Sequence, residues 1–189
     1  MIFASAALPA VLELLLGGIV LRWCSSAAVT AGCLIVFGLF LLVSDGAEPV
    51  KYNSMNAVPI VPALLAGCAG AFGMIPGVSH IGAVMTAGML MGFSRGTAAE
   101  FAVCLMIPVK IVTSVAALAG IHADLGFSAF LMLWAASGAS LIISFAVIRT
   151  FVQYCSDHDV KIFAFYRVLI GIAVIAMIIL HVLPSGFGV

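Results

Sequence analysis

Long apolar stretches alternate with brief polar intervals along this chain. A helix that crosses a bilayer takes about 20 apolar residues. Residues 6–21 form a first apolar run, closed by Arg22, and residues 27–43 a second. The most polar interval follows at 44–56, with Asp45, Glu48, Lys51 and Asn53, and reads as a surface loop. Three further runs cover 98–119, 127–148 and 163–183, and the loop before the last carries Arg149, Asp157, His158, Asp159 and Lys161.

Residues 58–93 break the pattern. The stretch 58–75 is apolar but holds Pro59, Pro62 and several glycines, and Pro76-Gly77-Val78-Ser79-His80 interrupts it before a second apolar stretch at 81–93. A helix of about 13 residues reaches only about 20 Å, too short to span comfortably. Two half-helices meeting at a Pro-Gly turn inside the membrane are therefore expected, since irregular backbone at that depth is tolerated where protein or a watery cavity covers it. The predicted fold is all-α: a polytopic membrane protein of about five spanning helices plus one re-entrant half-helix pair. Residues 1–189 read as a single membrane-embedded domain without a soluble domain or linker.

Composition sharpens this reading. The chain is 65% hydrophobic and 7% charged, with a mean hydropathy of +1.36. Soluble domains are about 25% charged, so lipid must be the solvent for most of this surface. Lys plus Arg and Asp plus Glu balance at seven each, and no basic tail points to nucleic acid. The five cysteines lack CxxC spacing and read as small apolar packing residues. The start carries no positive region, so the first run is expected to be a retained membrane helix. If 58–93 enters and leaves on one side, Lys51, Arg95, Arg149 and Lys161 share a face and Arg22 lies opposite. The positive-inside rule then puts the N-terminus in the cytoplasm.

The chemically informative segment runs from Gly73 to Gly82 and on to Pro108. Pro76 and Gly77 break a helix, and the next helix start offers free N–H groups that favour an anion, phosphate above all. Ser79 adds a hydroxyl and His80 an imidazole. A simple helix kink with a Ser cap and no ligand is the competing reading of the same residues.

This stretch resembles the second signature of the undecaprenyl-diphosphate phosphatase (bacitracin-resistance) family, which reads Pro-Gly-x-Ser-Arg-Ser-Gly, a Gly-rich half-helix, Gly-x-Ser-Arg, an Ala-rich turn, Phe and Ile-Pro. Pro76, Gly77, Ser79, Gly82, Thr86, Gly88, Gly92, Ser94, Arg95, Ala98, Ala99, Phe101, Ile107 and Pro108 fit it, and Phe163-Ala-Phe-Tyr166-Arg167 resembles the family's Phe-x-x-Tyr-Arg. The departures are equally specific. His80 and Ile81 stand where the family has Arg and Ser, and that Arg grips the diphosphate. The family's first signature, two Glu four apart and then Ser-Ser-Thr-Gly-His, has no counterpart: Glu13 is followed four residues on by Gly17, and Ser25-Ser26 lacks the Thr-Gly-His. The chain thus resembles an N-terminally shortened, divergent member.

The resemblance implies hydrolysis of a polyprenyl diphosphate in the bacterial inner membrane, during lipid-carrier recycling for the cell envelope. Ser79 and, in place of the family's Arg, the imidazole of His80 are the candidate catalytic residues. Pro76, Gly77, Val78, Gly82 and Thr86 are the candidate substrate contacts of the cradle. Lys110, from its depth in an apolar run, is a further candidate contact that could supply the positive charge His80 does not guarantee. The resemblance also implies Mg²⁺ or Ca²⁺ as cofactor, with no metal site assigned in this chain. Three outcomes stay open: a phosphatase, a non-catalytic lipid-phosphate binder or transporter, and one half of a split phosphatase completed by a partner chain; a homodimer or a complementing partner chain is the expected assembly. Lys110 sits deep in an apolar run, where a charge costs at least about 2.5 kcal/mol, so a partner or a cavity is expected. Packing on helix carbonyls or on Glu100 is the plainer reading of it. Glu100 suits a helix start, and Arg95, His122, His158 and His181 read as interfacial.

Overall fold

The computed structural model describes residues 1–47, 49–119 and 127–181, with the side chains of 119 and 127–129 left aside. Seven α-helices occur among them: α1 (Ile2–Cys24), α2 (Ala27–Ser44), α3 (Ile60–Ala69), α4 (His80–Leu90), α5 (Arg95–Ala119), α6 (Phe127–Asp157) and α7 (Lys161–Ile179). Five, namely α1, α2, α5, α6 and α7, are long and apolar enough to cross a membrane. Glu48, His122 and the far end of the last apolar run lie outside the described residues.

The two short helices form a hairpin. A 3-10 segment, Gly70–Met74, extends α3 to the turn, and α4 returns from it. The hairpin's two ends meet: Tyr52 and Phe93 form a parallel bridge, Lys51 N–H and Tyr52 N–H both donate to the Gly92 carbonyl, and Ser94 N–H donates to the Tyr52 carbonyl. The chain therefore enters and leaves this unit at one end of the bundle. Asn53→Cys and Ser94→Cys, each in a background without the native cysteines, are expected to react with an impermeant thiol reagent from the same side. Labelling from opposite sides would replace the hairpin by a span.

Two helix pairs flank the hairpin. α2 packs along α7 and α1 along α5, while α4 touches both α5 and α2. α5 shows why. Ala98, Phe101, Ala102, Leu105 and Val109 recur at three- and four-residue spacing, form one stripe, and are buried. Phe93 sits edge-on to Phe101 at 5.7 Å and to Tyr52 at 5.9 Å, so the base of the hairpin is pinned by aromatic contacts. α6 leans on α5 and exposes most of its length, as a lipid-facing helix would. All five cysteines are free.

The end where the hairpin closes is polar. Arg95 Nε donates to Asp45 Oδ1 at 2.6 Å, and its Nη2 reaches Asp159 Oδ1 at 2.7 Å, which Lys161 bridges through Oδ2 at 2.8 Å. The network ties the end of α2, the start of α5 and the α6–α7 loop. Arg149 differs from its expected place in that loop: α6 runs on to Asp157, and Arg149 stands about 12 Å inside it. Its long stem lets an exposed guanidinium reach toward the interface without ending the helix.

Asp45's side chain is fully buried, and Oδ2 has no partner. Arg95→Ala would leave that carboxylate without its counter-charge. The expected loss is about 1–3 kcal/mol, discounted for Arg95's partial exposure, and it would be read as a lower unfolding midpoint in detergent. Asp159 adds a pH dependence. The Lys161 hydrogen bond holds its carboxyl below the usual range, and Arg95's charge adds to this. A lowered carboxyl contributes stability that is complete above about pH 4 and fades as pH falls through the lowered value. Thermal unfolding across pH 2.5 to 6 (a window of roughly the carboxylate range) should show that fall in the native chain and a shallower one in Lys161→Ala.

Candidate functional site

The tip of the hairpin is built by local chemistry. Pro76 and Gly77 occupy the middle of a turn closed by Val78 N–H donating to the Ile75 carbonyl at 3.0 Å. Gly77 has φ +91°, so the pair carries the type II signature of Pro then Gly. Gly77 also lies so close to the Thr30 carbonyl of α2 that a Cβ would collide with it. Ser79 then caps α4, its Oγ accepting from Gly82 N–H at 3.1 Å. The hydroxyl proton stays free for another acceptor.

An apolar groove of about 520 Å³ opens beside this tip. Gly77, Val78, Ser79 and Gly82 line it, with Leu34, Met85, Phe163 and others forming its apolar walls. Arg167 of α7 closes it with a charge. Arg167 is 6% exposed, its Nη2 donates to the Gly77 carbonyl at 2.9 Å, and its Nη1 would stand 2.7 Å from a Cβ at Gly82. No carboxylate pairs with it among the described residues. A buried guanidinium beside a helix start, unpaired and facing a cavity, is arranged for an anion.

The residues singled out in sequence divide between two flanks of the tip. Gly77, Val78, Ser79 and Gly82 reach the groove, with Pro76 in the turn behind them. His80 faces α1 and α5 instead: its Nδ1 meets the Gly70 carbonyl at 3.1 Å and its Nε2 meets Lys110 Nζ at 3.5 Å. Lys110 pairs with Glu13 Oε1 at 2.7 Å rather than with Glu100. The structure thus separates Ser79 from His80 and brings His80 and Lys110 together. Thr86 is buried about 9 Å along α4 and does not line the groove. Sequence reasoning did not give a role to Arg167 or Glu13. Arg167 carried a signal, a cation inside an apolar run. Glu13 carried one too, but its partner lies 97 residues away.

A second cavity, about 620 Å³, lies at the polar end of the hairpin and is lined by Asp45, Arg95 and Glu100. Its Asp45–Arg95 pair belongs to the network that joins three helix ends, and it lies at the far end of α4 from the tip. Among the described residues no three His, Cys, Asp or Glu side chains gather to hold a metal ion. Beside the tip, among the described residues, the carboxylate of Glu13 is taken by Lys110. This donor set does not fit a protein-held divalent cation.

Residues 1–173 match the family described as bacitracin resistance protein BacA. The chain belongs to that family. It is 34% identical over 154 residues to undecaprenyl-diphosphatase 1 of Clostridioides difficile, covering 80% of this chain and 56% of that protein. It is 32% identical over 173 residues to undecaprenyl-diphosphatase of Methylobacillus flagellatus, covering 88% and 64%. With the Rhodopseudomonas palustris undecaprenyl-diphosphatase the figures are 33% over 163 residues, 86% and 61%. The chain therefore spans about three fifths of the length of these curated relatives. Here Pro76 and Gly77 form the turn and Ser79 the cap, and His80, which stands where the resembled motif has Arg, turns away from the groove and toward Lys110.

Proposed function

We propose that this chain is an undecaprenyl-diphosphatase-type membrane protein that holds and hydrolyses the diphosphate of a polyprenyl carrier lipid. One observation carries the reading: buried Arg167, without a carboxylate partner among the described residues, faces an apolar groove at the start of α4. A prenyl diphosphate has the matching halves. Its phosphoryl oxygens accept from Arg167, from Ser79's hydroxyl and from the free N–H groups of the helix start. Its first isoprene units lie on the groove's apolar walls, and the rest of the tail continues into lipid.

Phosphoryl transfer depends mainly on positioning and charge stabilisation, which these donors supply. Water attacks the terminal phosphorus, and prenyl monophosphate leaves. The paired acids that the resemblance implies have no counterpart in this sequence, so a complementing partner chain of different sequence would supply them. The family's cell-envelope role supports a bacterial inner membrane as the location of this multi-pass chain. Lys51, Arg95 and Lys161 at the polar end argue for a cytoplasmic N-terminus, since α1 starts on that side.

The test is phosphate release from farnesyl or undecaprenyl diphosphate by the purified chain, with Mg²⁺, Ca²⁺ or chelator. Release that Ser79→Ala and Arg167→Gln abolish supports hydrolysis by this chain alone. Tight binding without release supports the non-catalytic reading. Neither binding nor release removes the proposal.

A further inference from the structure

His80 is the first residue of α4, and its ring lies on the flank of the tip away from the groove. Its Nδ1 stands 3.1 Å from the Gly70 carbonyl, and a carbonyl only accepts. Nδ1 therefore carries the proton, and Nε2 turns its lone pair to the Lys110 ammonium at 3.5 Å. Lys110 is held in turn by Glu13 Oε1 at 2.7 Å. The imidazole thus joins the 3-10 segment before the turn to the helix after it, and α5 and α1 brace it from outside. Gly73 leaves it room: the atoms nearest to a Cβ there are all His80's, and a Cβ would overlap the ring.

This seat fits one protonation state. A neutral imidazole donates to Gly70 and accepts from Lys110. An imidazolium has a donor on both nitrogens, and would set a second N–H and a second positive charge against the ammonium. Lys110 of α5 and Glu13 of α1 are the titratable groups that face the ring. The other elements packed against α4, namely α2, α3 and the 3-10 segment, carry no charged side chain. The ring's seat bears on the groove through the backbone. His80 follows Ser79 directly, and Ser79 Oγ accepts from Gly82 N–H on the groove side. A helix start that shifts to release the ring re-aims both groups.

We propose that His80 is a positioning residue: its neutral imidazole, seated between Gly70 and Lys110, fixes the direction in which Ser79 and the first N–H groups of α4 face the groove. This rests on the reading of the groove as the phosphate site. A ring that touched the lipid phosphate would strengthen binding as it gained a proton. A ring that positions by staying neutral weakens binding as it gains one, so the two roles have opposite signs in pH.

The experiment measures farnesyl diphosphate affinity of the full chain in nanodiscs from about pH 4.5 to 8, a range that covers an imidazole's titration. Each variant is held below its own unfolding midpoint. The lipid's ionisation is common to all of them, so variants are compared at each pH. At about pH 8 His80→Ala and Gly73→Ala should each weaken binding about fivefold or more, and His80→Asn, whose amide can donate to Gly70 as Nδ1 does, should recover most of that loss. Relative to His80→Asn, the native chain should lose about fivefold or more as pH falls across the range. The double variant Glu13→Gln with Lys110→Met, which leaves neither charge unpaired, should lose less, because a protonated ring then meets no ammonium. Ser79→Ala reports the aim of the hydroxyl: it should weaken the native chain but add less than about twofold to Gly73→Ala. A ratio of native to His80→Asn affinity that stays flat or rises as pH falls overturns positioning by a neutral ring. Full additivity of Ser79→Ala and Gly73→Ala, or native affinity in both His80→Ala and Gly73→Ala while Arg167→Gln binds weakly, overturns the role of His80 and leaves the groove intact. Native-like binding by Arg167→Gln overturns the groove reading and this proposal with it.

Discussion

Arg167→Gln is expected to weaken prenyl diphosphate binding about ten- to a hundredfold, the range for losing charge-assisted hydrogen bonds worth about 1.5–3 kcal/mol. The reason lies in what surrounds the guanidinium. It is buried, donates to the Gly77 carbonyl, and has no carboxylate partner among the described residues. A cation so placed keeps a large unmet charge that only an anion in the groove can satisfy. Arg167→Lys should recover part of the affinity but not all, because an ammonium cannot hold the turn carbonyl and grip a phosphate through a planar fork. The variant also loses the Gly77 contact, so unfolding midpoints are measured alongside. A binding loss that exceeds the stability loss, and that excess lipid cannot rescue, identifies a ligand contact. Equal affinity for Arg167→Gln and the native chain at matched folding would remove the anion site.

Much of this architecture could be read from apolar run lengths. The hairpin followed from one short run and a Pro-Gly break, because a helix too short to span must turn back. The cap at Ser79 followed from its place before an apolar stretch. What the sequence concealed were distances across the fold. Glu13 and Lys110 are 97 residues apart and meet because α1 packs on α5; no spacing rule reports that. His80 and Ser79 are neighbours in sequence, yet consecutive residues at a helix start point in different directions, one to the groove and one to α5. The end of α6 was misplaced for a related reason. Arg149 resembles a helix boundary by composition, but one exposed arginine at the edge of an apolar run can remain helical. Arg167 was visible as a motif residue, and its six-residue depth in α7 was the clue to its role.

The second large effect concerns the turn that presents the site. Gly77→Ala should destabilise the chain by about 2–5 kcal/mol, summing the cost of a side chain at left-handed φ with that of overpacking. Two independent faults act at this position. Its φ of +91° is one that alanine adopts only with strain. A Cβ would also strike the Thr30 carbonyl and crowd Cys33 of α2, so relaxing the turn cannot occur without moving α2 or withdrawing the tip. Withdrawal separates the Gly77 carbonyl from Arg167 and opens the groove, so lipid-diphosphate affinity should fall together with the unfolding midpoint. Gly82→Ala separates the two effects. There a Cβ would meet the Arg167 guanidinium and the Ser79 side chain rather than a backbone carbonyl, and no positive φ is involved. It should disturb binding more than stability, whereas Gly77→Ala should disturb both. Detergent-solubilised unfolding and farnesyl diphosphate binding on the two variants make the comparison. A Gly77→Ala chain that unfolds and binds like the native one would show that the tip is not seated against α2, and the groove as described would not exist.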